Sequence, residues 1–236
     1  MIVYNATKYT APDSQWTPIT VIYESTLVGP RPADPADNND VEIDWPKLDA
    51  VISTLPSSAR VVFDIELWSI NSGGDETMWK NICKYKEITR YVKYKRPDIN
   101  IGHFAKPTWH SPQNEADNDF DWRVVNRNME YIGEFVDTIY PSCYVRFNDF
   151  ASQYLSMDNT LTQAERYNKE IIPFICPRII APIDAGSALN GDDLPLNTFT
   201  AILDFMNDKG LDVIMWDFSA NTTPYEHISL TQDYTA

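Results

Sequence analysis

The sequence predicts an α/β chain folded as a (β/α) barrel of TIM type, small or irregular, with about seven strands. Three observations point there. Apolar runs with strand character recur at roughly forty-residue intervals. Amphipathic helical patterns fill the gaps, and strand–helix alternation of this kind means a parallel sheet with helices outside it. Residues of chemical interest stand just after such runs, namely Glu24, Asp64, Glu66, His103, Tyr144 and Asp217. That is the pattern expected of loops on the C-terminal face of a barrel.

In chain order, Ile2-Val3-Tyr4 is a short opening strand. Ile19-Thr20-Val21-Ile22-Tyr23 follows, rich in β-branched residues that suit a pleated surface. Asp44 is the N-cap of a helix that presents Trp45, Leu48, Ile52 and Leu55 on one face and stops at Pro56. Residues 61–66 form the next strand. Met78, Ile82, Tyr85, Ile88 and Val92 make a helical stripe that ends before Pro97. Residues 99–104 are a strand, and Asp121 caps a helix with Val125, Met129, Ile132 and Val136 inward. Strands at 137–142 and 171–176 flank a less regular helix within 147–167. Phe199, Ile202, Leu203 and Met206 mark the last helix, closed by Gly210, before a final strand at 212–217. Segments 29–41, 107–120 and 181–196 read as surface loops rather than linkers, because the alternation resumes after each. Residues 1–236 are therefore read as one domain.

Composition narrows the partners. A net charge of −15, from 34 acids against 19 bases, argues against a nucleic-acid backbone and against anionic lipid. No apolar run is long enough to suggest a membrane span. Met1-Ile2-Val3-Tyr4-Asn5 lacks a basic region and a long apolar one, so no signal peptide is expected; localisation stays open. Cys83, Cys143 and Cys176 form no CxxC and read as small buried thiols, which suits a reducing compartment. No Gly-x-Gly-x-x-Gly follows a strand, and His103, His110 and His227 are poorly placed as a ligand set. Neither a metal nor a cofactor is implied.

The most informative stretch is Asp64-Ile65-Glu66-Leu67-Trp68, which closes the apolar run Val61-Val62-Phe63. A run apolar on both faces belongs to a buried parallel strand. Side chains alternate, so Val62, Asp64 and Glu66 share one face and Val61, Phe63 and Ile65 the other. Two carboxyl groups this close in a poorly solvated site cannot both ionise cheaply, which leaves one neutral acid beside one anion. Glycosidic cleavage needs that combination. A lone acid at a strand end usually marks the chain surfacing into a loop, but an Asp-x-Glu pair with a Trp beyond it favours chemistry. Asp217 and Glu24 are the carboxylates from which a conventional nucleophile would come. Sugars pack their C–H faces on aromatic rings. Trp109, Trp216 and Trp68 are therefore candidate subsite residues, whereas Trp79 and Trp122 read as helix-face core. His103 is a further substrate-contact candidate, although a packed core or rim position is its simpler reading.

In order along the chain, these motifs resemble the hyaluronidases of glycoside hydrolase family 56 and, more distantly, the family 18 chitinases. Asp64-Ile65-Glu66-Leu67-Trp68 resembles the family's Asp-Trp-Glu-x-Trp segment, and Ile101-Gly102-His103-Phe104 its Trp-Gly-Tyr-Tyr strand. Tyr140-Pro141-Ser142-Cys143-Tyr144 resembles its Tyr-Pro-Ser-x-Tyr, and Val213-Ile214-Met215-Trp216 its late strand ending in Trp. The resemblance implies a distorted barrel that cleaves β-linked N-acetylhexosaminides with retention, the substrate's own acetamido oxygen acting as nucleophile. By position, Glu66 would protonate the leaving oxygen and Asp64 would orient and charge-stabilise the acetamido group. Tyr144 would hydrogen-bond that group from the opposite side, and Trp216 would floor the sugar. The sequence also departs from the family. His103-Phe104 stands where the family has two tyrosines, Asp217 follows Trp216 where a small residue is usual, and the disulfide cysteines have no counterparts. The implied partner is a polysaccharide or oligosaccharide, and the charge of −15 disfavours hyaluronan itself. Two alternatives stay open: a glycan-binding barrel without activity, and a hydrolase of non-acetylated sugars that uses Asp217 or Glu24.

Overall fold

The computed structural model describes residues 1–7, 16–30, 32–70, 75–108, 122–146, 149–180, 191–217 and 225–235. Strands and helices alternate along them. In order they are β1 (Val3–Asn5), β2 (Thr17–Pro18), β3 (Thr20–Tyr23), α1 (Trp45–Ser53), β4 (Arg60–Asp64), α2 (Asp75–Lys95), β5 (Asn100–His103) and α3 (Trp122–Gly133). Then come β6 (Thr138–Ile139), α4 (Phe150–Glu165), β7 (Glu170–Ile171), β8 (Phe174–Ile175), α5 (Leu196–Asp208), β9 (Val213–Met215) and α6 (Tyr225–Gln232). Every pairing among these strands is parallel. They form three sheets, in the orders β2-β1-β9-β8, β3-β4-β5 and β6-β7. Single parallel bridges join Phe104 to Tyr140 and Ser142 to Phe174, between one sheet and the next.

The strands lie where the apolar runs place them, but they are shorter, and proline accounts for two of the breaks. Pro18 has no N–H to carry a ladder forward. The segment therefore pairs with β1 through Thr17 and Pro18, and with β4 from Thr20 onward. The run at 171–176 is split by Pro173. Ile172 N–H donates to Ile139 O at 3.0 Å and Phe174 N–H to Pro141 O at 2.8 Å, while Ile214 N–H donates to Pro173 O at 2.8 Å.

Helix ends follow the sequence signals. Asp44 accepts the Lys47 N–H at 3.1 Å, and Asp149 accepts that of Ser152 at 2.8 Å. Gly210 has φ 68°. Its N–H reaches Asn207 O at 2.9 Å and the Leu211 N–H reaches Met206 O at 3.0 Å, the paired bonds of a Schellman motif. Asp121, Trp109 and His110 lie outside the described residues, as do the side chains of Trp122 and Val125.

Alternation along β4 divides the core. Val61 and Phe63 pack with Leu48, Ile52, Ile88 and Ile132 under the helices. A second cluster joins Val3, Val213 and Met215 to Met157, Phe199 and Leu203. Val62 turns the other way, into a cluster with Tyr4, Phe174 and Ile214 of the four-stranded sheet and with Tyr140 and Ile172, which directly follow β6 and β7. Gly102 of β5 makes room for it: a Cβ there would lie 2.2 Å from Thr138 O and 2.7 Å from Tyr140 Cδ2. Two expectations fail on α2. Cys83 is exposed rather than buried, and Trp79 is 38% exposed rather than core. Each stands one position past the Met78–Ile82 stripe, a rotation of about 100° that turns it toward solvent. No helix among the described residues is long and apolar enough to cross a membrane.

Candidate active site

Because the strands run parallel, the residues that follow them collect at one end. Asp64 closes β4, level with Tyr23 at the end of β3, and continues the inward row begun by Val62. Its Oδ1 is buried without a hydrogen-bond partner among the described residues. Burial, then the neighbouring Glu66 carboxylate, push its pKa from an ordinary 3.8 to about 7; Glu24 adds to this and Lys106 opposes it. Burial thus favours the neutral form of the Asp64 carboxyl over its anion. Glu66 is exposed and lines a cavity of about 240 Å³ with Phe104, Lys106, Met129, Ser142 and Arg146.

The turn that carries Glu66 is bound on several sides. Glu24 Oε2 accepts the backbone N–H of Glu66 at 3.0 Å and that of Leu67 at 3.1 Å. Tyr85 OH donates to Ile65 O at 2.7 Å, and the Trp68 indole N–H donates to Val41 O at 2.9 Å. Trp68 borders the cavity, but at 1% exposure it offers no ring face to a sugar.

Tyr144 and Trp216 meet. Their rings stack at 5.3 Å with 22° between planes, and the Trp216 indole N–H donates to Tyr23 OH at 3.4 Å. Burial raises the Tyr144 phenol well above its ordinary value, with smaller contributions from Cys176, Asp64 and Glu66, so it stays a hydrogen-bond donor. Gln153 fixes the loop around it, donating to Tyr144 O at 3.1 Å and accepting the Arg146 N–H at 2.8 Å.

Two candidates sit away from the cavity. His103 is fully buried, its Nε2 2.8 Å from Thr89 Oγ1 and its ring beside Phe63 and Tyr85. Burial, then Lys106, push it down to about 3, so it is a neutral core residue out of reach of a ligand. Asp217 is also fully buried and pairs with Arg178 Nε at 3.2 Å. Arg178 further binds Gly191 O at 3.1 Å and the Asp193 carboxylate, tying the chain after Trp216 to the next loop.

Sequence reasoning missed Tyr23, Lys106, Arg146 and Gln153. Burial lowers the pKa of both Lys106 and Arg146, and the Glu66 carboxylate pulls each back up. The available signal was position: Tyr23 ends β3, and Lys106 lies just past β5. Among the described residues no group of His, Cys, Asp and Glu could hold a metal ion.

No family model and no curated protein matches the sequence. The fold does have solved counterparts in two structures of bee venom hyaluronidase, one of them in complex with a hyaluronic acid tetramer. Each aligns with a TM-score of 0.63 at 16% identity, over 92% of this chain and 83% of that one. The chain has a hyaluronidase-like fold.

Proposed function

We propose that the chain is a single-domain (β/α) barrel glycoside hydrolase. It cleaves β-linked, N-acetylhexosamine-containing glycans with retention, and the substrate's acetamido oxygen is the nucleophile. The order of pairing supports the barrel. β1 pairs with β2, which runs on into β3, and β3-β4-β5 leads through the Phe104–Tyr140 bridge to β6-β7. β7 runs on into β8, and β8-β9 returns to β1.

One observation carries the mechanism. Asp64 and Glu66 leave the same strand end, whereas a conventional acid and nucleophile flank the sugar about 5–9 Å apart. The carboxylates that might stand opposite are engaged elsewhere, Glu24 with two backbone amides and Asp217 with Arg178. The nucleophile then comes from the substrate. Asp64 holds the pair's proton in the free site, and burial of a sugar against Trp216 brings the acetamido group to Asp64 and Tyr144. That proton passes from Asp64 to the neighbouring Glu66, which gives it to the leaving oxygen as the acetamido oxygen closes on the anomeric carbon and the glycosidic bond breaks. Asp64, now an anion, offsets the positive charge of the cyclic intermediate. Water, deprotonated by Glu66, opens the ring from the face the leaving group vacated, which gives net retention.

Chitin oligomers, chondroitin, hyaluronan and peptidoglycan, screened for new reducing ends, test this reading. Glu66→Gln keeps the shape of the acid without its proton. It should abolish turnover while leaving folding and glycan binding intact, and full activity in this variant removes Glu66 from the mechanism.

A further inference from the structure

We infer that Glu24 is a positioning residue: its carboxylate fixes the turn after β4 and so aims Glu66 at the cavity. Of the groups that hold this turn, Tyr85 and Trp68 belong to the core. Both are almost wholly buried, and their rings pack edge to face at 5.4 Å. Glu24 is different. It is only partly buried, and it grips the amide of Glu66 itself, together with that of Leu67, through one oxygen. Two N–H donors converging on a carboxylate make charge-assisted bonds, stronger and more directional than neutral ones.

Glu24 is itself held firmly. It opens a 3-10 turn (Glu24–Thr26) directly after β3, and its carbonyl accepts the N–H of Leu27 at 2.9 Å and of Val28 at 3.0 Å. Leu27 and Val28 are buried in the core. A core-anchored turn on one strand thus presents a carboxylate to the exit of the next. The groups that face Asp64 are Glu66, Lys106 and Glu24, with the phenols of Tyr85 and Tyr144. A third negative charge here opposes ionisation of Asp64, which a neutral amide would not do. The role given to Glu24 rests on the hydrolase reading only where turnover is the readout; the grip on the turn does not.

Two variants test it. Glu24→Gln keeps a carbonyl oxygen in place and removes the charge, and Glu24→Ala removes the acceptor. In Glu24→Ala, kcat should fall about 100-fold, the scale of an ångström of misplacement, with KM within about threefold of the parent. Glu24→Gln should recover at least about a tenth of the parent kcat, and the basic limb of its pH profile should move to lower pH, because a negative neighbour of Asp64 is gone. Amide hydrogen exchange at Glu66 and Leu67 should accelerate at least about tenfold in Glu24→Ala, while residues 61–63 stay protected. A parental kcat in Glu24→Ala overturns the inference, and so does uniform loss of protection throughout β4. Should the parent protein cut no glycan, the hydrolase reading fails and exchange alone decides. Unchanged exchange at Glu66 and Leu67 would then overturn the anchoring as well.

Discussion

Asp64 concentrates the electrostatics of the site in one carboxyl. The folded protein holds its proton up to about pH 7, whereas an unfolded chain releases it near 3.8. Between those values the folded state binds more protons than the unfolded one, so stability falls as pH rises. The slope contributed by this one group approaches about 1.4 kcal/mol per pH unit. Asp64→Asn should flatten that part of the stability curve in chemical denaturation across pH 4 to 8, and should itself lose activity. An unchanged slope would mean that Asp64 is not the group whose proton the site holds. The sequence showed that one member of the pair must be neutral but not which. Alternation predicted one face for both side chains, but β4 ends at Asp64 and Glu66 lies in the turn beyond it, so the burial of one against the exposure of the other separates them. Trp68 was beyond its reach for a related reason. Past a strand's last paired residue the period of two no longer applies, and neighbours decide whether a ring turns into the core.

At the scale of elements, two glycines distinguish packing from backbone conformation. Gly102→Ala forces a methyl group against Thr138 O and the Tyr140 ring, so overpacking of about 1–3 kcal/mol or more is expected. Gly210→Ala meets nothing within 4 Å, yet its φ of 68° should cost about 1–2 kcal/mol. Urea denaturation of both variants checks the pair, and a Gly102→Ala protein as stable as the parent would contradict the close strand approach. Most elements were legible because buried parallel strands and amphipathic helices have different periods. Asp44, Gly210 and the stripe of α2 are examples. The breaks at Pro18 and Pro173 were less legible. A proline in an apolar run shows that a ladder stops, but not that the chain leaves one neighbour for another, which is a property of the assembled sheets. The exposed Trp79 and Cys83 show the same limit on a helix, where one residue of rotation decides the environment.

At the scale of the molecule, the parallel strands bring residues from widely separated stretches to one end: Tyr23 and Glu24, Asp64 and Glu66, Lys106, Tyr144 and Trp216. The ordered motifs anticipated Tyr144 beside Trp216. They could not anticipate that Glu24 and Asp217 would be taken up in holding the frame, since spacing in sequence says nothing about which carboxylates find partners. In the mechanism we propose, that division of labour leaves the substrate's acetamido group as the nucleophile, and this is the central claim. The most direct measurement is proton NMR of the first-formed product from an N-acetylated polymer, followed by the same polymer after N-deacetylation. The account predicts a retained anomer from the first and no cleavage at the deacetylated sugar, because a free amine has no carbonyl oxygen to attack with. An inverted anomer, or equal cleavage of the deacetylated polymer, would contradict it.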